Sequence, residues 1–460
     1  MQKVFQEVNT LDQRCYETFA LSGDILMEHA AEVMADEIRA RFELKNSVLI
    51  LAGSGHNGAD GIALARLLHH DYDVKLYCIK DQNSDLGKLQ VKRAKALNVT
   101  FVTELSSSDI IVDALFGSGL NRSLEGAYLT IIKELNQSPA FKIACDIPSG
   151  VLSSGLCSSE VFKADLTITM GALKRALFSD EAKNYTGEIK VANLGLPRSL
   201  YETDTDTFLL DLEDLQLPLR DKPNTHKGTF GHTAVLSGDK SGASIIAGLS
   251  ALAFGSGLVT LVGDNLLETP YELMSDTTLP ENTIALCAGM GLGETAQAID
   301  LLKKSTLPMV IDADLFYDPS IGPLLEKPCV LTPHPKEFVS LLALTGLDHI
   351  DIQILQADRF GYALKFSQAF PETVLLLKGA HVIIAYQGKL YINPHGTNKL
   401  SKGGSGDVLA GLIAALLAQG YDPIDATISG SLAHTKAALT LQNNNYALTP
   451  PDLIQAIGHL

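Results

Sequence analysis

One unit recurs along this chain and dictates its architecture: a short continuous apolar run, a loop of Gly, Asp, Ser or Asn, and a stretch with helical spacing. In the first half the apolar runs fall at 48–51, 74–79, 110–112, 143–145 and 166–169, with helical spacing at 25–34, 61–69 and 86–97. In the second half they fall at 233–236, 259–262, 284–287, 309–311, 329–331, 374–377, 382–385 and 390–392, before a long apolar helix from Asp407. Runs without polar alternation suit strands covered on both faces, and their alternation with helices requires a mostly parallel sheet. The expected class is α/β, with two three-layer αβα domains. There is no fixed-period repeat and no low-complexity tract.

The 460 residues are enough for two or three domains at about 100–200 residues each. Periodicity loosens at the polar segment 202–207 and the loop-like segment 220–224, so the expected domains are 1–205 and 206–460. A net charge of −17 repels nucleic acid and anionic membrane, so neither is an expected partner. The six cysteines form no CxxC pair and sit mostly in apolar runs, as reduced core residues of a cytoplasmic protein do. Residues 1–7 lack the apolar core of a signal peptide, and no apolar run is long enough to span a bilayer. The expected assembly is a homo-oligomer.

Three loops in the first half carry oxygen ligands. The run at 48–51 leads into Gly53-Ser54-Gly55-His56-Asn57-Gly58-Ala59-Asp60-Gly61, a strand–glycine loop–helix arrangement of the kind that holds phosphates. The run at 110–112 ends in Asp113 and continues to Gly117-Ser118-Gly119-Leu120, and the run at 143–145 ends in Asp146-Ile147-Pro148-Ser149-Gly150. Carboxyl ends of parallel strands share one edge, which brings Asn57, Asp113, Asp146 and Ser149 toward one another. Oxygens without a dense carboxylate cluster suit a weakly charged cation and a polar organic ligand, and no His/Cys set suits zinc. The bland reading is that each Asp caps the next turn. A third reading takes Gly53–Gly58 as a GxGxxG dinucleotide fingerprint, with Asp71 or Asp73 at the distance of the ribose-binding acid.

The second half places five more loops after apolar runs: Gly289-Met290-Gly291-Leu292-Gly293, Asp312-Ala313-Asp314, Thr332-Pro333-His334-Pro335-Lys336-Glu337, Lys378-Gly379-Ala380-His381 and Gly403-Gly404-Ser405-Gly406-Asp407. The last is the most informative. It joins flexible backbone, a helix N-terminus and one carboxylate in the first helical turn, a device for holding phosphate while Asp407 takes a proton from a hydroxyl. A plain helix start needs one cap residue and not three glycines. Singly, each of the other loops reads as a turn, a cap or a solvated charge.

Together these motifs carry a resemblance. Gly53–Gly61, Asp113–Leu120 and Asp146–Gly150 resemble the loops of NAD(P)H-hydrate epimerase domains, over about residues 1–205. That resemblance implies a Rossmann-like fold, a bound potassium ion, and interconversion of the R and S forms of NAD(P)H hydrated at C6. It implies Asn57, Asp113 and Ser149 as potassium ligands and Asp146 as the acidic residue at the reacting ring. It implies hydrate-binding loops at His56, Asn57, Gly58, Ala59 and Asp60, and at Gly117, Ser118, Gly119, Leu120, Asn121, Arg122 and Ser123. His56 and Ala59 depart from the family's Asn-Asn-Gly-Gly-Asp. Residues 220–460 resemble the ADP- or ATP-dependent NAD(P)H-hydrate dehydratase domain, which has a ribokinase-like fold. Here the resemblance implies Lys378, Gly379, Ala380, His381, Val382, Gly403, Gly404, Ser405 and Gly406 at the adenine nucleotide. Ala251, Gly291, His334 and Asp407 would meet the hydrate, Asp407 as catalytic base, with magnesium on the nucleotide. Met290, Lys336 and Leu315 depart from the family pattern. The function implied is bifunctional repair of hydrated NAD(P)H, with ADP against ATP open. The alternatives are a ribokinase-like small-molecule kinase whose N-terminal half is an interaction module, and an NAD-dependent dehydrogenase.

Overall fold

Two sheets with the same doubly wound strand order carry the chain. The structure, a computed structural model, describes every residue except 265, 267 and 268. It divides into two units, one of Lys3–Thr205 and one of Asp206–Leu460 with Met1–Gln2.

In the N-terminal unit the strands are β1 (Ser47–Ala52), β2 (Asp73–Cys78), β3 (Thr100–Val102), β4 (Ile110–Ala114), β5 (Phe141–Cys145), β6 (Leu166–Met170) and β7 (Glu188–Ala192). They lie in the order β3-β2-β1-β4-β5-β6-β7, all parallel. The period of two separates the side chains of β1 between two cores. Val48, Ile50 and Ala52 join one, and Leu49 and Leu51 join the other. Strand order reverses between β1 and β4, so the crevice above their carboxyl ends is where such a sheet binds ligands. Helix α1 (His56–Leu68) leaves the end of β1. It starts several residues before the expected helical stretch, so Asn57 and Asp60 lie one turn apart on a helix and not in a loop.

In the second unit the strands are β8 (Thr207–Leu209), β9 (His232–Leu236), β10 (Leu258–Val262), β11 (Met274–Asp276), β12 (Ala285–Ala288), β13 (Met309–Ile311), β14 (Cys329–Leu331), β15 (Thr373–Leu377), β16 (Val382–Tyr386) and β17 (Lys389–Asn393). Their order is β11-β10-β9-β12-β13-β14-β15-β16-β17-β8, parallel as far as β15 and antiparallel through the β15–β16–β17 meander. The loops after β12, β13, β14 and β15 therefore emerge on one edge.

Helices flanking this sheet include α2 (Ser241–Ala253), α3 (Pro335–Leu344), α4 (Arg359–Ala369), α5 (Ser405–Ala418), α6 (Pro423–Thr440) and α7 (Pro450–Ile457). Every residue of α5 from Val408 to Ala418 is buried, as expected of a helix apolar all round. It packs between α2 and α6, and the Ser250 hydroxyl donates to the Val408 carbonyl at 2.7 Å. The N-terminus of α5 is thus anchored in the core while its first turn faces the sheet edge. The six cysteines are all free. Among the described residues no helix is long and apolar enough to cross a membrane.

Candidate active sites

The N-terminal unit holds a cavity of about 500 Å³ at its switch point, lined by residues following β1, β4, β5 and β6. Its centre is an ion pair between two buried side chains. Lys174 Nζ lies 2.6 Å from Asp146 Oδ1, and both residues line the cavity although Lys174 is only 1% exposed. Asp146 Oδ1 also accepts from the Thr169 hydroxyl and the Met170 amide, both at 3.2 Å, and Oδ2 accepts from the Ser118 amide at 2.9 Å. Burial alone would raise this carboxyl, but the Lys174 ammonium and these hydrogen bonds outweigh it and hold Asp146 below its ordinary value. Asp146 adopts a left-handed backbone, φ 71°, which a non-glycine residue keeps only where its surroundings impose it. Asp60, on the same cavity wall, is shifted the opposite way. Desolvation, then the charges of Asp146 and Asp12, raise its carboxyl well above the usual range. Asp12 is itself raised by burial and accepts a 2.7 Å hydrogen bond from Tyr201 Oη.

Beneath the cavity Asp113 organises the strand ends. Its Oδ1 accepts from the Ser149 hydroxyl (2.7 Å) and the Leu115 amide (3.1 Å), and its Oδ2 from the Ser149 amide (2.8 Å). Ser149 Oγ in turn accepts from the Phe116 amide at 3.0 Å. Asp113 is wholly buried, and burial pushes its carboxyl up to about 6 against those hydrogen bonds. No ion pair with a Lys or Arg is seen for it among the described residues. Asn57 lines the cavity with a buried Nδ2 that has no hydrogen-bond partner, and its Oδ1 faces Gly117. A Cβ at Gly117 would sit 2.8 Å from Asp146 Oδ2 and 3.1 Å from Asn57 Oδ1, so a glycine is what lets this loop approach both. Neutral and carboxylate oxygens around an uncompensated buried acid fit a hard monovalent cation.

In the second unit the loops after β13 and β15 meet the first turn of α5. Lys378 Nζ contacts both oxygens of the buried Asp312, at 2.8 and 3.1 Å. The space where a Cβ at Gly406 would lie is 3.1 Å from the same ammonium. Asp407 is half-buried in that turn. Burial, then the Asp312 carboxylate, push its carboxyl up to about 6, against the opposing pull of Lys378. Gly404 caps the helix with φ 86° and no side chain, and helix geometry leaves the Gly406 and Asp407 amides free to bind an anion. His334, exposed after β14, caps α3: its Nδ1 accepts from the Glu337 amide (3.3 Å) while Glu337 Oε2 accepts from the His334 amide (2.8 Å). Its Nε2 therefore carries the proton in the neutral ring and lies 3.2 Å from Glu337 Oε1. Burial, then Asp312, raise Glu337 to about 7.

Two family models match the chain: YjeF-related protein N-terminus over residues 23–176 and NAD(P)H-hydrate dehydratase over 233–459. The chain is 45% identical to the bifunctional NAD(P)H-hydrate repair enzyme Nnr of Helicobacter pylori, over 100% of both chains. This chain belongs to the bifunctional NAD(P)H-hydrate repair enzyme family. The Nnr enzymes of Moorella thermoacetica (30% identical, covering 99% of this chain and 95% of theirs) and Escherichia coli (31%, 90% and 84%) are further relatives. A solved structure of ADP/ATP-dependent NAD(P)H-hydrate dehydratase from Bacillus subtilis, co-crystallised with ATP/Mg2+, is 29% identical, covers 53% of this chain and 92% of its own, and has a TM-score of 0.45.

Within this repair-enzyme chain, His56, Asn57, Asp60, Asp146 and the residues from Gly117 to Arg122 line the N-terminal cavity. Gly58 and Ala59 do not: both are buried on the inner side of α1, and Ser123 lies exposed outside the cavity. Lys378, Gly379, Ala380, Gly403, Gly404 and Gly406 reach the surface of the second unit, whereas His381 and Val382, where β16 begins, and Ser405 are buried. Ala251 is wholly buried in the core on α2. The small residue facing Gly291 is Ala243 at the start of α2, whose Cβ lies 3.3 Å from the space a Gly291 Cβ would take.

The residues that sequence reasoning missed are Lys174, Thr169 and Asp12 around Asp146, and Asp312 as the partner of Lys378. A lysine set inside the apolar stretch 166–178 was the available signal for Lys174.

Proposed function

We propose that the N-terminal unit epimerises R and S NAD(P)H hydrate and that the second unit dehydrates the S form with ADP or ATP. The observation that carries this reading is the presence on one chain of two sites of different chemistry. One is a cavity with an acid–base pair set apart by its surroundings; the other is a phosphate-holding helix start with an adjacent carboxyl raised to about 6.

Inversion at C6 requires the C6–O bond to break and reform on the opposite face. One group must protonate the departing hydroxyl and another must take a proton from the returning water. Carboxyls pushed apart by their environments divide such roles. Asp60, kept toward its protonated form, donates; Asp146, kept ionised beside Lys174, accepts. Asn57, Asp113 and Ser149 would hold potassium, which supplies a positive charge at the strand ends. Dialysis into sodium or Tris should then slow epimerisation and leave dehydration unchanged.

In the second unit Asp407 takes the proton of the C6 hydroxyl as its oxygen attacks the terminal phosphorus of the nucleotide. The Gly406 and Asp407 amides and Lys378 face the negative charge gathering on the phosphoryl oxygens. The ring nitrogen's electrons then expel phosphate from C6, and loss of a proton from C5 completes the dihydropyridine. Magnesium would arrive on the nucleotide's phosphates, since no cluster of three or more His, Cys, Asp or Glu residues able to hold a metal is found among the described residues.

The deciding experiment supplies hydrated NADH with ADP or ATP and follows reduced-nicotinamide absorbance and free phosphate. Both should rise together. A stable phosphorylated product without recovered NADH would establish the kinase reading instead.

A further inference from the structure

Helix α5 begins without a side chain of its own to fix its first turn, because Gly404 is the cap. The Ser405 amide is occupied by the Lys402 carbonyl at 3.3 Å, and the Ser405 side chain is buried. What meets it comes from α6. His434, also buried, places Nε2 3.0 Å from the Ser405 carbonyl and 3.2 Å from its hydroxyl oxygen.

A carbonyl oxygen only accepts, so Nε2 must carry a proton. Burial, opposed by the Ser405 contact, lowers His434 to about 4, with the nearby Lys378 ammonium adding to the effect. The ring is therefore neutral at physiological pH and has one proton, on Nε2. Shared between the Ser405 carbonyl and Oγ, that proton makes Oγ an acceptor. The hydroxyl's own proton cannot go to the ring and is left for another acceptor. Without this partner, a serine in a first helical turn is free to rotate toward nearby backbone carbonyls.

We propose that His434 is the positioning residue of the phosphoryl-transfer loop, orienting Ser405 so that its hydroxyl donates to the nucleotide's phosphates. The inference rests on reading Gly403–Asp407 as that loop.

The test compares His434→Leu, His434→Gln and the double variant His434→Leu/Ser405→Ala in the full chain. It measures dehydration kcat and nucleotide KM, with the thermal shift of the second unit on adding nucleotide as its folding control. A single oriented donor to transition-state charge contributes about 10²–10³ in kcat, and an orienting partner should carry part of that. His434→Leu should therefore lower kcat about tenfold or more with nucleotide KM nearly unchanged. His434→Gln, whose amide still donates, should recover most of the loss, and adding Ser405→Ala to His434→Leu should cost little more. Wild-type kcat in His434→Leu, equal losses in the Leu and Gln variants, or a full further loss in the double variant would each overturn the inference. If His434→Leu shows no thermal shift with nucleotide and so has not folded its second unit, Ser405→Ala alone decides: a kcat drop supports the inference and a wild-type kcat ends it. A wild-type chain with no nucleotide-dependent turnover removes the loop reading itself, and this inference with it.

Discussion

Asp407 sits between two neighbours of opposite sign, and its value as a base depends on which prevails. Burial and Asp312 outweigh Lys378, leaving a carboxyl that titrates near 6. As a base it must be ionised, so dehydration should fall as pH drops through about 6 and level off above it. Asp407→Asn should lower turnover by about 10²–10⁴ while nucleotide binding, read by thermal shift, persists. The stability sign is opposite. A carboxyl whose folded pKa is raised above its unfolded value stabilises the fold when protonated, below the ordinary carboxylate range, and this is lost as pH rises through about 6. The Asn variant, uncharged at every pH, should therefore melt higher than wild type at pH 8 and match it near pH 4. In the other unit Lys174→Met should abolish epimerisation, and Asp146 should lose the charge that holds it ionised. Asp146 was legible because it ends an apolar run, and Asp407 because it joins a glycine loop to a long apolar run. Lys174 was not, since it sits in a two-residue strand, too short to show a pattern, and reads as a stray charge.

At the scale of elements, the loop between β15 and β16 is held from behind. Arg359 on α4 is buried and donates from Nη1 to the His381 carbonyl at 3.3 Å and from Nη2 to the Lys378 carbonyl at 3.0 Å. A Cβ at Gly379 would overlap that guanidinium. Gly379→Ala should therefore displace the loop and Lys378 with it, raising nucleotide KM and lowering kcat of dehydration, with epimerisation intact in the same sample. The parallel strands buried on both faces were readable almost residue by residue, because they have no polar interruptions, whereas the half-exposed edge strand β7 was not seen. Helix starts were less so. The glycines before α1 suggested a long loop, yet helix begins at His56 because Asn, Gly and Ala suit a first turn whose inner side packs on β1 and β4. Strands of two or three residues, such as Leu173–Lys174 and β11, carry too little pattern to be seen.

For the whole molecule, identical strand order places each site at the carboxyl edge of its own sheet, with no residue shared between the two sets described here. Asp146→Asn and Asp407→Asn should therefore fail separately. With a mixture of the two hydrate epimers, the first should consume the S portion rapidly and then stall, and the second should equilibrate the epimers without making NADH. A mixture of the two proteins should clear everything, as followed by absorbance at the end point. One contact gives the two activities different histories. The floor of the phosphate loop includes Pro450 of α7, which lies 2.6 Å from the space a Gly404 Cβ would fill. Synthesis proceeds at about 5–20 residues per second, so the epimerase unit emerges from the ribosome some tens of seconds before that floor exists. A chain stalled or clipped ahead of residue 450 would still interconvert the damaged cofactor but would have nothing to mend it with.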